Sequence, residues 1–215
     1  MLILKQFDVS LIRLQKEDLE LVRTWRNSAH VQDTMIYKDY ISKQMQKAWF
    51  ETINNPFNYY FIIEFDSKKV GLINTKNFDE RQCFGEGGIF IGNPEYEHSF
   101  AAVYASLCLL NFVFYMLDGI NKSRIRILKS NYRAIQYNKL LGYEWIEDTS
   151  DGLNEIYELT KENYLIKGLR LNKAAAIFTK GSSRMELIGE PSPQNMDIIN
   201  ELLITKIPPL AIPDF

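Results

Sequence analysis

Hydrophobic positions along this chain switch repeatedly between a period near two and a period near 3.6. The opening MLILKQFDVSLIRL alternates with period two and predicts a strand over residues 10–14, with Leu11 and Ile12 apolar around Arg13. Leu19, Leu21, Val22, Trp25 and Arg26 then follow at helical spacing, and Asp18 stands where a carboxylate favours the helix dipole. A helix over residues 16–26 is expected. A second begins after Ser42, a good N-cap residue, presents Trp49, Phe50 and Ile53 on one face, and stops at Asn54-Asn55-Pro56.

Aromatic and β-branched residues crowd residues 59–65, and Asp66-Ser67-Lys68-Lys69 turns that run into residues 70–74, which reads as a hairpin. Residues 84–91 form another strand. Residues 99–117 are apolar on nearly every side and predict a buried helix. A cleanly alternating strand covers residues 123–128. A helix over residues 131–141 closes at Gly142, suited to a left-handed C-terminal position. Residues 143–146 and 154–159 read as a last strand pair. The order is β-α-α-β-β-β-α-β-α-β-β to about residue 165. Beyond it the character changes: a small apolar cluster at 173–177, a turn at Gly181-Ser182-Ser183, a short helix at 194–204, and an end at 207–215 whose Pro208, Pro209 and Pro213 forbid regular structure.

Composition narrows the class. With 46% hydrophobic and 24% charged residues in 215, the chain is an ordinary globular protein of one domain, or one domain plus an extension. A net charge of -2 gives no general attraction to nucleic acid or to an anionic membrane. The longest apolar stretch, 101–117, is interrupted by Tyr104, Ser106 and Asn111, and the N-terminal apolar run is too short for a signal peptide, so a cytoplasmic protein with no membrane partner is expected. Cys83 and Cys108 form no CxxC or Cys/His cluster, and His30 and His98 are the only histidines; no metal is expected. The two cysteines suffice for one disulfide, a feature more usual in small secreted chains.

Three separated motifs carry a resemblance. Asn131, Ala134, Leu140, Leu141, Gly142 and Tyr143 reproduce an N-x-x-A…K-L-G-F/Y stretch. Upstream stand Trp25-Arg26-Asn27 and Ile41-Ser42…Gln46…Trp49-Phe50. Over roughly residues 10–160 the chain resembles the GNAT superfamily of N-acetyltransferases, and within it the enzymes that acetylate nucleotide-linked amino sugars of pseudaminic-acid-type pathways. The resemblance implies an α+β (mixed α/β) GNAT fold: a central twisted, mostly antiparallel sheet with one splayed strand pair and flanking helices. Residues 1–165 would be the acetyltransferase domain, and 166–215 an extension packed on the core or on a partner subunit, as in a homodimer.

The resemblance also implies chemistry. Acetyl-CoA would lie where two strands splay, against the strand holding Ile89 and Ile91, whose backbone N–H groups suit the thioester oxygen. Its pyrophosphate would meet the start of the next helix, at Ser99, Phe100, Ala101 and Ala102, with Asn131 and Asn138 along the pantetheine arm. The loop departs from the family's Q/R-x-x-G-x-G/A, because Glu97 replaces the Arg or Gln and Phe100 the first glycine. A carboxylate there repels phosphate by about 1 kcal/mol or more, and the phenylalanine is expected to close the gap through which backbone meets ligand.

Catalytic candidates are Glu86 as base and Tyr137 as acid, the latter one residue before Asn138, where the family often has tyrosine, and so turned by about 100 degrees. Asn131 is equally a helix cap, and Glu86 equally an exposed strand end. Arg26, Asn27, Met35, Tyr37 and Tyr40 are the expected contacts to a small-molecule amine acceptor, Arg26 through a phosphate. The leading reading is acetyl transfer from acetyl-CoA to a sugar-nucleotide amine. Its alternatives are a protein N-terminal acetyltransferase, and a non-catalytic module that kept the fold and lost the cofactor.

Overall fold

The computed structural model describes residues 1–79, 84–117, 120–179 and 183–189. Cys83, the expected helix at 194–204, the proline-rich end and most of the expected turn at 181–183 lie outside the described residues.

The N-terminal alternation does not make one strand. It makes a hairpin, β1 (Ile3–Gln6) and β2 (Val9–Arg13), joined by Phe7 and Asp8 at φ 54 and 62. Two successive left-handed residues are the two-residue turn that matches strand twist. Phe7 adopts this costly conformation with its side chain fully buried, 6.2 Å from the Tyr104 ring. The first predicted helix splits into a 3-10 turn at Lys16–Asp18 and α1 (Leu19–Arg26), followed by the short, unanticipated α2 (Ala29–Gln32). In α3 (Lys43–Ile53) the Ser42 hydroxyl accepts from the Met45 backbone N–H, as its position predicts.

β3 (Tyr59–Phe65) and β4 (Lys68–Asp79) turn through Asp66 and Ser67, again both left-handed. Next come β5 (Phe84–Ile91), α4 (Ala101–Met116), β6 (Lys122–Leu128), α5 (Tyr132–Leu141), β7 (Glu144–Asp148) and β8 (Asn154–Thr160). Gly142 takes φ 107 at the end of α5, the left-handed cap its sequence position predicts. One sheet of nine strands results, ordered β7-β8-β6-β5-β4-β3-β2-β1-β9, where β9 is Glu186–Ile188. Among the described residues only the β5–β6 pairing is parallel.

Both sheet faces are covered, and β3 shows how. Tyr60 and Ile62 point to the α1–α3 side with Leu14, Val22, Trp25, Phe50 and Leu72. Phe61 and Ile63 point to the α4 side, where most of the core lies. α4 is buried almost all round. Between residues 161 and 178 the sequence pattern shows no more than an apolar cluster at 173–177; the structure has a continuous helical stretch there, α6 (Lys161–Asn163), a π turn (Tyr164–Gly168) and α7 (Leu169–Phe178).

This stretch locks to α4 through polar groups. Asn111, fully buried, donates to Gln6 Oε1 and to Asn172 Oδ1, both at 2.9 Å, and accepts from the Tyr164 hydroxyl at 2.7 Å. Asn172 donates to the Tyr164 hydroxyl and the Gly168 carbonyl, and Gln6 donates to the Ser183 carbonyl. A buried network of this kind stabilises only while every member is satisfied. Asn111→Leu keeps the volume but strands polar atoms of Gln6, Asn172 and Tyr164, and should lower the unfolding free energy by about 2–3 kcal/mol in a urea titration.

Across the sheet, Glu158 of β8 bridges Lys122 at 2.9 Å and Arg124 at 2.8 Å on β6. Burial pushes its pKa up, but the two cations outweigh burial and hold it below the usual glutamate value. A depressed carboxylate stabilises fully above its unfolded pKa, and that contribution disappears as pH falls through the folded value. Glu158→Gln should therefore melt roughly 2–4 °C below the parent at pH 7, and the two melting curves should converge below about pH 4.

Candidate functional site

β5 and β6 pair in register only from Phe84–Lys122 to Gly87–Ile125. β5 then runs on to Ile91 and β6 to Leu128 without pairing, so the strands part. Two glycines mark the place. A Cβ on Gly87 would come 3.2 Å from Ile125 Cγ2, and one on Gly88 2.9 Å from Asn74 Oδ1. Any larger residue would crowd the wedge. A cavity of about 560 Å³ opens there and is lined from both faces of the sheet, so it passes through the layer at the wedge.

On the α4–α5 side the cavity is mainly apolar. Ser106, Leu109, Leu110 and Val113 form a helical stripe on α4, and Ala134, Asn138 and Leu141 face it from α5. A buried hydroxyl pair, Ser123 and Tyr143 at 2.7 Å, lines the floor. Ile89 lines this passage, whereas Ile91 packs on the core outside it. Asn131 lines the cavity and also caps α5, accepting from the Ala134 N–H at 3.1 Å. Asn138 lines it too, with its amide nitrogen turned back to the Ala134 carbonyl at 2.8 Å. Tyr137 is not on the cavity wall. The rotation of one residue carries its phenol toward α4, where the hydroxyl donates to the Ala102 carbonyl at 3.3 Å, and burial pushes its pKa well up despite a hydrogen bond with Ser106. The phenol expected as acid is thus held against α4, off the cavity wall.

On the α1–α3 side the lining is polar and aromatic. Glu86 stands at the wedge with Oε1 3.0 Å from Lys76 Nζ, and Oε2 accepts from Asn77 Nδ2 at 3.3 Å. Tyr60 lies between Glu86 and Arg26: burial first, then Glu86, pushes its phenol up to about 12, with Arg26 pulling the other way. Arg26, Met35 and Tyr37 line the chamber as the sequence suggests. Asn27 does not. Its amide donates to the Ile41 carbonyl and accepts from the Ile41 N–H, at 2.9 and 2.8 Å, so it clamps the loop carrying Met35 and Tyr37. Tyr40 also lies off the wall, exposed, accepting from Arg23 at 3.0 Å. Residues that sequence patterns hide complete the chamber: Trp49 and Tyr60, edge to face at 5.2 Å, with Gln46 and Asn74. Trp49 and Tyr60 read as core, since an apolar stripe looks the same whether it meets protein or ligand.

A sequence profile of the acetyltransferase (GNAT) domain matches residues 8–144, well over half of the chain. The chain belongs to the GNAT acetyltransferase family. By that membership it is an acyltransferase. No curated protein matches it in sequence. Solved structures share the GNAT fold. Spermidine N-acetyltransferase from Vibrio cholerae, in complex with CoA and spermine, is 17% identical with TM-score 0.66, over 74% of this chain and 98% of that one. The apo form of FdhC, a nucleotide-linked sugar GNAT, is 21% identical with TM-score 0.64, over 77% and 94%. A domain from Methanocaldococcus jannaschii is 22% identical with TM-score 0.62, over 71% and 97%. Among the described residues no group of His, Cys, Asp and Glu could hold a metal ion, and no helix is long and apolar enough to cross a membrane.

The unusual GNAT loop meets α7. Phe100 precedes α4 with φ -77, a value that needs no glycine. Its ring stacks on Tyr104 at 5.7 Å and on Phe178 of α7 at 6.1 Å. Phe100, Tyr104, Leu107 and Asn111 form one helical stripe, and the cavity-lining Ser106, Leu109, Leu110 and Val113 form another on a different face. The ring therefore points away from the cavity and remains 58% exposed. Ser99, Ala101 and Ala102 also lie off the cavity wall, and the Ser99 hydroxyl is engaged locally, donating to the Tyr96 carbonyl at 2.7 Å and accepting from the Ala101 N–H. Glu97 has a counter-ion: Arg133 of α5 lies 3.8 Å from its carboxylate and donates to its carbonyl at 3.0 Å. Phe100→Ala should consequently leave acetyl-CoA affinity within about twofold while costing about 1 kcal/mol or more of stability through the lost ring stack. Calorimetry and thermal melting of the same preparation check both.

Proposed function

We propose that this chain transfers the acetyl group of acetyl-CoA to the amine of a nucleotide-linked amino sugar, as a cytoplasmic enzyme. The observation that carries the reading is the passage through the sheet at the β5–β6 wedge, which joins an apolar groove to a polar chamber and sets Glu86 between them. The groove fits a pantetheine arm in shape and polarity. Unpaired β5 edge, apolar side chains from α4 and α5, and the amides of Asn131 and Asn138 are what such an arm would meet. Acetyl-CoA, when bound, supplies an acetyl thioester.

The chain's own residues then divide the work. Glu86 receives the proton that the amine gives up as its nitrogen becomes an amide, and passes it to solvent; Lys76 and Asn77 fix the carboxylate in place. Backbone N–H groups along the free edge of β5 stabilise charge on the thioester oxygen. Tyr37, Trp49 and Tyr60 give the chamber aromatic faces suited to a sugar or a nucleobase. The fold shared with a nucleotide-linked sugar GNAT supports this acceptor. Within the reading, residues 1–165 are the transferase domain and residues 166–215 an extension of it, whose α7 packs on α4; the orientation of Phe100 toward α7 favours a working cofactor groove over a module that has lost it.

Calorimetric titration should give micromolar binding of acetyl-CoA, and thiol release should require a nucleotide-linked amino sugar. Glu86→Gln should lower kcat by about 10²–10³ with acetyl-CoA affinity unchanged. A chain that binds no acetyl-CoA would sink the proposal.

A further inference from the structure

Two polar groups in the acceptor chamber are buried without partners. The Nε of Arg26 has none, and among the described residues its guanidinium makes one hydrogen bond, a long one of 3.4 Å to the Tyr37 carbonyl. No carboxylate among the described residues lies within ion-pair distance of it. Gln46 is 4% exposed, lines the same chamber, and its Nε2 has no partner. The guanidinium does lie over the Phe90 ring, 6.0 Å from its centroid, but an unpaired buried amide and a half-buried cation with no ion-pair partner are both costly in a folded protein. Both lie on adjoining helices, Arg26 on α1 and Gln46 on α3.

The remaining charges agree with this. The charged residues lining the cavity are Arg26, Lys76, Glu86 and Arg126. Glu86 is paired with Lys76, and Arg126, exposed on the same sheet face toward the end of β6, has the Asp151 carboxylate in its neighbourhood. Arg26 is left as the unbalanced charge of the acceptor chamber. A cationic polyamine would meet net positive charge there. An oxyanion would meet a guanidinium N–H and an amide N–H, both without other partners.

Resting on the acetyl-transfer reading, we propose that Arg26 and Gln46 form the receptor for an oxyanion, phosphate or carboxylate, carried by the acceptor, so that this enzyme acetylates amines on acidic molecules and discriminates against polyamines. Arg26 contributes a planar, charged donor pair and Gln46 a neutral donor that fixes the anion's orientation.

The test compares glucosamine, glucosamine 1-phosphate, muramic acid and spermidine as acceptors, and measures their direct binding by calorimetry with the parent, Arg26→Met, Arg26→Lys and Gln46→Leu. The parent should prefer glucosamine 1-phosphate or muramic acid over glucosamine by at least about tenfold in kcat/KM and in Kd, and the better of the two identifies the anion. Arg26→Met and Gln46→Leu should each lose about tenfold of that preference at unchanged acetyl-CoA affinity, and Arg26→Lys should keep part of it. Equal binding of glucosamine and both anionic sugars, a preference for spermidine, or an anion preference indifferent to Arg26 would overturn the proposal. Because sugar binding is read without turnover, a chain that binds the anionic sugar through Arg26 yet binds no acetyl-CoA upholds the receptor and rejects the transferase reading.

Discussion

α4 has no face that tolerates water, and much of the molecule follows from that. Its Ala101–Met116 run is apolar almost all round, so the sheet alone cannot cover it. Burying a Leu or Phe side chain is worth about 1.5–3 kcal/mol, and leaving one side of such a helix bare would forfeit several of these. The helical stretch from Lys161 to Phe178 supplies the missing cover. It brings Tyr164, Asn172 and Phe178 onto the stripe of α4 that turns away from the cavity. Asn111, the one strongly polar residue in the middle of that stripe, then requires partners, and the buried network with Gln6, Tyr164 and Asn172 provides them.

The opposite stripe of α4 faces the wedge, where the second constraint operates. A sheet cannot admit a ligand between strands that remain hydrogen-bonded. Here pairing of β5 with β6 ends at Gly87 and Ile125, just where larger side chains on β5 would crowd Ile125 and Asn74. The unpaired backbone edge that this leaves would be costly in a closed core, and the cavity beside it is where those groups can find a partner. Fold and site are thus one feature seen twice: the strand parting that weakens the sheet also makes the passage.

Much of this was legible in the sequence, for identifiable reasons. Helix caps at Ser42 and Asn131 and the left-handed Gly142 carry local signals that act through the backbone itself, and each stands where it was expected. The N-terminal hairpin was hidden because its turn uses Phe7 and Asp8 instead of the Asn-Gly pair that usually announces one; the burial of Phe7 against Tyr104 compensates for its unfavourable φ. The cavity lining was legible where a residue's type is scarce in a core, as with Glu86 and Arg26. It was illegible where side-chain direction decides, because Asn27 and Tyr137 sit one turn or one residue from the wall and look the same in sequence as residues on it.

Phe100 shows why a motif cannot be judged without its surroundings. Glycine in the family loop removes a side chain from a crowded place; it is one solution among several to the need for clear space. In this chain the side chain at that position turns toward α7 instead. The ring stacks on Tyr104 and on Phe178 at the surface, and Phe178 belongs to a helix that the motif-bearing residues 10–160 do not contain. Glu97 follows the same logic, since its charge is met by Arg133 from α5. Both departures are therefore tied to partners elsewhere in the chain: the loop and α7 form a coupled pair, and a substitution at one should be tolerated or not according to the residue at the other.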